Sequence, residues 1–100
     1  MPNLPKLLPE NMDFHGTLPA WRVSAETKEL SQEFVFANFK SAFEFMTLSA
    51  QYAEEIDHHP DWSNSWNKVS VRLTTHSAHG LTELDLAMAL AMDRFALQVQ

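Results

Sequence analysis

Apolar residues recur at three- and four-residue spacing from Phe39 to Ile56, and no other pattern in the chain constrains the fold as strongly. This spacing predicts an amphipathic helix of about five turns. Asn38 can cap its N-terminus. Pro60 ends it, because proline lacks an N–H and disfavours a helical conformation in the residue before it. A length of 100 residues suffices for one domain with one core, residues 1–100.

The predicted helix carries more apolar surface than one sheet face needs. One strip comprises Phe39, Ala42, Phe43, Met46, Ala50, Ala53 and Ile56. A second strip, Phe45, Leu48 and Tyr52, lies beside it. We therefore expect the helix either to be deeply buried or to contact another subunit, with the second strip as the contact surface.

Short segments of alternating apolar and polar residues flank this helix on both sides. Residues 21–25 and 30–36, joined by a polar turn at 26–28, are typical of an antiparallel hairpin. After the helix, residues 61–66 are extended, and the alternation that follows predicts a strand leading to His76. These segments form a second hairpin.

The last helix is predicted to start after Thr82, with Asp85 at the third helical position as a short-armed capping box. Its expected buried stripe comprises Leu84, Ala87, Met88, Ala91 and Phe95. The order strand, strand, helix, strand, strand, helix predicts an α+β fold, a four-stranded, mainly antiparallel sheet with helices packed on one face. Phe34 and Phe36 are expected on that face and Val35 on the other.

Residues 1–19 hold four of the five prolines, so we predict a mostly irregular segment with one short helical turn at residues 6–8. Four leucines are expected to pin it to the body: Leu4, Leu7, Leu8 and Leu18. The segment lacks the apolar core of a signal peptide. No apolar run approaches the roughly 18 residues needed to cross a bilayer, so we expect no membrane association.

Composition narrows the function classes. Cysteine is absent, which excludes a disulfide framework and a thiolate metal site and is compatible with the cytoplasm, where we expect the protein. A formal net charge of −6 argues against binding nucleic acid through a basic face. With only two glycines and no Gly-x-Ser-x-Gly elbow, neither a phosphate loop nor a serine nucleophile is indicated.

Three histidines lie at predicted element boundaries: His58 and His59 follow the long helix, and His76 ends the last strand. Adjacent side chains diverge in regular structure, so the pair needs an irregular backbone to present both rings. Glu54 precedes the pair and Asp85 opens the final helix. Carboxylates that orient imidazoles would give a site suited to general acid–base chemistry.

A metal site and ordinary packing are the alternatives. The available zinc ligands are His58, His59, His76, His79 and Asp57. Because neighbouring histidines diverge and no His-x-x-x-His or cysteine pair exists, we expect no metal. His15 and His79 are typical loop histidines. Trp62 and Trp66 either pack in the core or wall a pocket near the histidine pair.

The histidine spacing resembles that of the pterin-4a-carbinolamine dehydratases. The family pattern runs from an acidic or polar residue through His-His-Pro, an aromatic residue and a histidine to an aspartate. The matching residues are Glu54, His58, His59, Pro60, Trp66, His76 and Asp85. The resemblance covers about residues 30–95 and departs from the family at the N-terminus and at Ser77, where some relatives carry an acidic residue.

The resemblance implies a hydro-lyase without metal or cofactor, acting on a 4a-hydroxytetrahydropterin, the product of aromatic amino acid hydroxylation. By similarity, the catalytic residues are His58, His59 and His76, oriented by Glu54 and Asp85. The pterin would be bound by these histidines together with Asp57, Thr74, Thr75 and Ser77. The pocket wall would comprise Pro60, Trp62 and Trp66.

The resemblance also implies a second hypothesis. Some animal relatives are dimerisation cofactors of a homeodomain transcription factor, through the helical face that otherwise forms their homotetramer. We therefore expect a homodimer or homotetramer, with protein binding as the alternative to catalysis. A pure binding role would not require the full set of histidines.

Overall fold

The computed structural model describes residues 5–26 and 28–100. Its elements are α1 (Phe14–Thr17), β1 (Arg22–Ser24), β2 (Glu29–Val35), α2 (Phe39–Ile56), β3 (Asp61–Ser65), β4 (Lys68–Leu73) and α3 (Glu83–Gln98), with a 3₁₀ turn at His76–Ala78. The predicted order of two hairpins, each followed by a long helix, is confirmed. The predicted turn at 26–28 includes Thr27, which lies outside the described residues.

The four strands form one antiparallel sheet in the order β1-β2-β4-β3. Strand β4 alternates as its sequence predicts, with Val69, Val71 and Leu73 buried against the helices and the residues between them exposed. Val35 is exposed on the opposite face. The predicted α+β class, with α2 and α3 packed on one face of the sheet, is therefore confirmed.

Helix α2 has the predicted bounds. The Asn38 side chain accepts a hydrogen bond from the Ser41 N–H at 2.9 Å, which caps the N-terminus. At the other end Asp57 adopts a left-handed conformation with φ 53°, and the His58 N–H bonds back to the Ala53 carbonyl. The chain thus leaves the helix three residues before Pro60.

The predicted division of α2 into a buried strip and a contact strip is partly wrong, although Ala42 and Ala53 of the first strip are buried as predicted. Phe45 is fully buried, its ring 4.6 Å from that of Phe34 and 5.0 Å from that of Phe36. Phe39 and Phe43 are instead 47% and 56% exposed and stack on each other. Both strips are apolar at helical spacing, so only the packing of the helix on the sheet decides which one faces the core.

Helix α3 begins with the predicted capping box between Thr82 and Asp85. Its buried residues are Asp85, Met88, Ala89, Ala91 and Met92. The expected stripe is therefore partly wrong, because Leu84, Ala87 and Phe95 are only half-buried. Apolar residues surround most of this helix, and this weakens the periodicity from which a buried face is predicted.

The N-terminal segment pairs with the start of α3 and does not form a helical turn at residues 6–8. The Leu8 N–H donates to the Leu81 carbonyl at 2.9 Å, and the Glu83 N–H donates to the Lys6 carbonyl at 3.1 Å. These bonds require extended backbone. The short helix of this region is α1, capped by Asp13.

Only one of the predicted anchor leucines is fully buried, Leu18. Leu8 is half-buried, while Leu7 is 60% exposed and Leu4 lies outside the described residues. Across the described ranges 5–26 and 28–100, no helix is both long enough and apolar enough to cross a membrane.

Candidate active site

Asp85 is the centre of a buried hydrogen-bond network at the start of α3. Its side chain is 0% exposed. One carboxylate oxygen, Oδ2, accepts hydrogen bonds from the Thr82 N–H at 2.9 Å and the Thr75 hydroxyl at 2.7 Å. The other, Oδ1, lies 2.6 Å from Nε2 of His58. A residue predicted first as a helix cap thus also contacts a candidate catalytic histidine.

The pattern of donors fixes the direction of each hydrogen bond. Oδ2 of Asp85 accepts two hydrogen bonds, which fits an ionised carboxylate, and beside an ionised carboxylate His58 is the donor through Nε2. Thr75 gives its hydroxyl proton to Asp85 and must accept the proton of the Thr82 hydroxyl, 2.8 Å away. The remaining ring nitrogen of His58, Nδ1, is left for a ligand.

His58 borders an open cleft of about 540 Å³. The cleft is lined from four parts of the chain: Ile56, Asp57 and His58 at the end of α2, Thr75 and Ser77 after β4, Glu83 and Leu84 at the start of α3, and Pro5 of the N-terminal segment. The His58 side chain is only 11% exposed. A histidine held on one side by a buried carboxylate and open on the other to a cleft can accept or donate a proton there.

His59 points away from His58, as expected for neighbouring side chains. Its Nε2 lies 2.5 Å from Oε2 of Glu54. The two side chains are 55% and 77% exposed, so this pair lies at the surface. The predicted pairing of Glu54 with the histidine doublet therefore concerns His59, whereas Asp85 holds His58.

His76 lies in the turn after β4. The strand ends at Leu73, so the prediction that it extends to His76 is wrong: Thr75 pairs with Gly80 in an isolated bridge, and the intervening residues form the 3₁₀ turn. His76 is exposed and lines a second cavity of about 240 Å³, which Thr75 borders as well. The structure thus places His58 and His76 in adjoining cavities.

The two tryptophans do not line the cleft around His58, contrary to the prediction that they form its wall. Trp62 packs half-buried against the core on the helix side of the sheet. Trp66 is 64% exposed in the turn beyond β3, roughly 16 Å along the strand from Asp61. Pro60 is half-buried between the histidine pair and β3. Because β3 runs away from the histidine pair, Trp66 at its far end lies distant from the cleft.

Sequence reasoning missed two contributions to the site. Thr82 was predicted only as a helix cap, but its hydroxyl also supports Thr75. Pro5 reaches the cleft because the N-terminal segment pairs with residues 81–83. The Thr-x-x-Asp cap is a local sequence signal for the role of Thr82. The position of Pro5 depends on a contact between residues distant in sequence, for which no local signal exists.

Within residues 5–26 and 28–100, no three histidine, aspartate or glutamate side chains converge closely enough to hold a metal ion. The predicted zinc alternative would have used His58, His59, His76, His79 and Asp57. Their dispersal follows from the divergence of the two adjacent histidines.

The fold and the His58–Asp85 pair define a small α+β protein with a candidate acid–base site. The family model described as pterin 4 alpha carbinolamine dehydratase matches residues 5–95. A predicted pterin-4-alpha-carbinolamine dehydratase of Bordetella avium is 49% identical over 83% of this chain and 77% of its own length. One from Rhizorhabdus wittichii is 47% identical over 87% of this chain and 90% of its own length. The chain belongs to the pterin-4-alpha-carbinolamine dehydratase family.

Two solved structures share the fold. A transcriptional coactivator/pterin dehydratase from Brucella melitensis matches with a TM-score of 0.82 and 39% identity, over 91% of this chain and 99% of that chain. A pterin dehydratase-like protein, a RuBisCO assembly factor in the alpha-carboxysome, matches with a TM-score of 0.68 and 22% identity. It covers 80% of this chain and 93% of its own. At that identity the second likeness shows the fold alone.

Proposed function

We propose that this protein is a hydro-lyase that converts 4a-hydroxytetrahydropterin to quinonoid dihydropterin and water. The observation that carries the proposal is the buried Asp85 carboxylate, which lies 2.6 Å from Nε2 of His58, a histidine that borders the cleft. Membership of the dehydratase family supports the choice of substrate. In this role the enzyme would return the pterin released by an aromatic amino acid hydroxylase to a reducible form.

The reaction is a paired proton transfer. A base removes the proton on N5 of the pterin while an acid protonates the hydroxyl on C4a, which leaves as water as the C4a–N5 double bond forms. His58, His59 and His76 share these two roles. Nδ1 of His58 serves for one of them, because Nε2 is committed to Asp85. Neither transfer requires a metal or a cofactor.

The neighbouring side chains orient the histidines and border the ring. Asp85 fixes the tautomer of His58, and Glu54 does the same for His59 at the surface. The residues proposed to border the pterin are Asp57, Thr74, Thr75 and Ser77. All four lie at the end of α2 or in the segment after β4, beside the two adjoining cavities.

The proposal is tested by following carbinolamine dehydration with the purified protein and with His58→Ala and His76→Ala. We expect each substitution to lower the rate by about 100-fold or more, the range for loss of a general acid or base. His15→Ala is the matched control, since His15 is exposed in α1. If the wild-type protein dehydrated the carbinolamine no faster than buffer alone, the enzymatic proposal would be refuted.

One observation favours a second function, protein binding. Phe39 and Phe43 stack on each other at 5.7 Å while roughly half of each ring faces solvent. We propose that this helical face joins copies of the chain in a homodimer or homotetramer, or binds a regulatory partner. Light scattering of wild type and Phe43→Ser tests this proposal, with Val35→Ser on the sheet as the control. A monomeric wild type would contradict self-association.

The cytoplasmic location stays a prediction.

A further inference from the structure

Three side chains that can carry positive charge line the cavity beside His76, including His76 itself. It is lined by Lys28, His76 and His79, by Thr74 and Thr75, and by one acidic residue, Glu29. The whole chain has only seven lysines and arginines, and its formal net charge is −6. One lysine and two histidines thus face a space of about 240 Å³ in a protein of net negative charge.

Two of these side chains are held on strained backbone. Lys28 and His79 have φ of 56° and 57°, in the left-handed region that glycine occupies more readily than any residue with a Cβ. The Thr74 hydroxyl donates to the Lys28 carbonyl at 2.7 Å and so ties this turn to the end of β4.

Gly80 lets the lysine lie across the cavity. A Cβ on Gly80 would stand 3.9 Å from Cδ of Lys28, so the aliphatic stem of Lys28 lies over this glycine. The paired backbone of Thr75 and Gly80 forms the floor beneath it. Lys28 therefore lies along the edge of the cavity that it lines.

The cavity adjoins the His58 cleft. Thr75 borders both spaces, and the consecutive residues His76 and Ser77 line the cavity and the cleft respectively. A flat ring bound against His58 and Ser77 would have its neighbouring edge directed towards Lys28. A group extending from that edge would meet two imidazoles and an ammonium.

We infer that this cavity binds a carboxylate or phosphate carried by the substituent of the pterin, with Lys28 as the specificity-determining residue. The inference rests on the proposed function and narrows its substrate class from pterins in general to pterins with an anionic substituent. Lys28 takes no part in the proton transfers. Its contribution is selective binding of the charged group.

The test compares the binding of three fluorescent pterins: 6-hydroxymethylpterin, its phosphate monoester and 6-carboxypterin. For wild type we expect the phosphate ester or the carboxylate to bind about fivefold more tightly than the neutral compound, the gain typical of a solvent-exposed ion pair. The preference should shrink as salt is raised. The compound with the larger gain in affinity, phosphate ester or carboxylate, identifies which anionic group the cavity prefers.

In Lys28→Gln the preference should disappear while the neutral pterin binds as in wild type. Lys28→Gly should lose the same preference for anionic pterins. Glycine adopts the left-handed conformation readily, so loss of the preference in this variant cannot be attributed to a folding defect. Lys40→Gln is the control of equal charge, because Lys40 lies in the first turn of α2, about 24 Å along the helix from its site end.

Equal affinity of wild type for the three pterins, or a preference that survives in Lys28→Gln, would overturn the inference and leave the dehydratase proposal intact. A preference lost equally in Lys40→Gln would also overturn it, since the effect would then be one of net charge. Failure of all three pterins to bind would remove the proposed function together with this inference.

Discussion

Asp85→Asn should separate the orientation of His58 from the stability of the fold. The amide oxygen can still accept from the Thr82 N–H and the Thr75 hydroxyl, but the amide NH₂ then faces Nε2 of His58. Two donors facing each other repel, so His58 must carry its proton on Nδ1 and accept through Nε2. Nδ1 of His58 would then lose the lone pair that takes a proton.

The magnitude follows from the number and type of hydrogen bonds. Three bonds to a buried carboxylate, each contributing about 1.5–3 kcal/mol, become bonds to a neutral amide, each contributing about 0.5–1.5 kcal/mol. Because the carboxylate also loses its cost of burial, we expect a net destabilisation of about 2–3 kcal/mol. The dehydration rate should fall by about 100-fold, since Nδ1 of His58 would be in the wrong protonation state for its proton transfer.

Urea unfolding measures the loss of stability, and kinetics of carbinolamine dehydration measure the loss of rate. ¹⁵N NMR of the histidine rings identifies the tautomer of His58. Asp93→Asn is the matched control: Asp93 lies on the same helix and accepts hydrogen bonds from the Trp21 indole and the Gln32 amide. It should lose stability but keep the rate. If Asp85→Asn kept the proton on Nε2 of His58, or dehydrated as fast as wild type, the assignment of Asp85 as the orienting group would be refuted.

Two further predictions concern α2. Phe45→Ala should cost about 3–5 kcal/mol of unfolding free energy, since Phe45 is fully buried, whereas Phe43→Ala in the monomer should cost less than about 1 kcal/mol. Similar losses in urea unfolding would contradict the burial of Phe45. Ser49→Ala should be neutral or stabilising by up to about 1 kcal/mol, because the buried Ser49 hydroxyl has no hydrogen-bond partner among the described residues. A large loss of stability would indicate a bound water or an unseen partner.

The secondary structure could be predicted because its causes are local. The alternation in β4 and the Asn38 cap each act within a few residues, and each gives an unambiguous preference. Pro60 likewise limits the length of α2, whose C-cap residue, Asp57, lies three residues before it. The capping box of Thr82 and Asp85 is likewise visible as a short motif. Where local signals compete or are weak, as in residues 6–8, the prediction was wrong, because the hydrogen bonds of that segment go to residues 81–83.

The sequence by itself thus determined the order of elements, the ends of the long helix and the family, which depends on histidines at set spacing. Only the tertiary structure decided which apolar strip of α2 faces the sheet and which carboxylate serves which histidine. His58 and Asp85 are 27 residues apart, and Thr75 reaches the same carboxylate from the segment after β4. Such contacts arise when separate elements pack, and periodicity along one element carries no information about them.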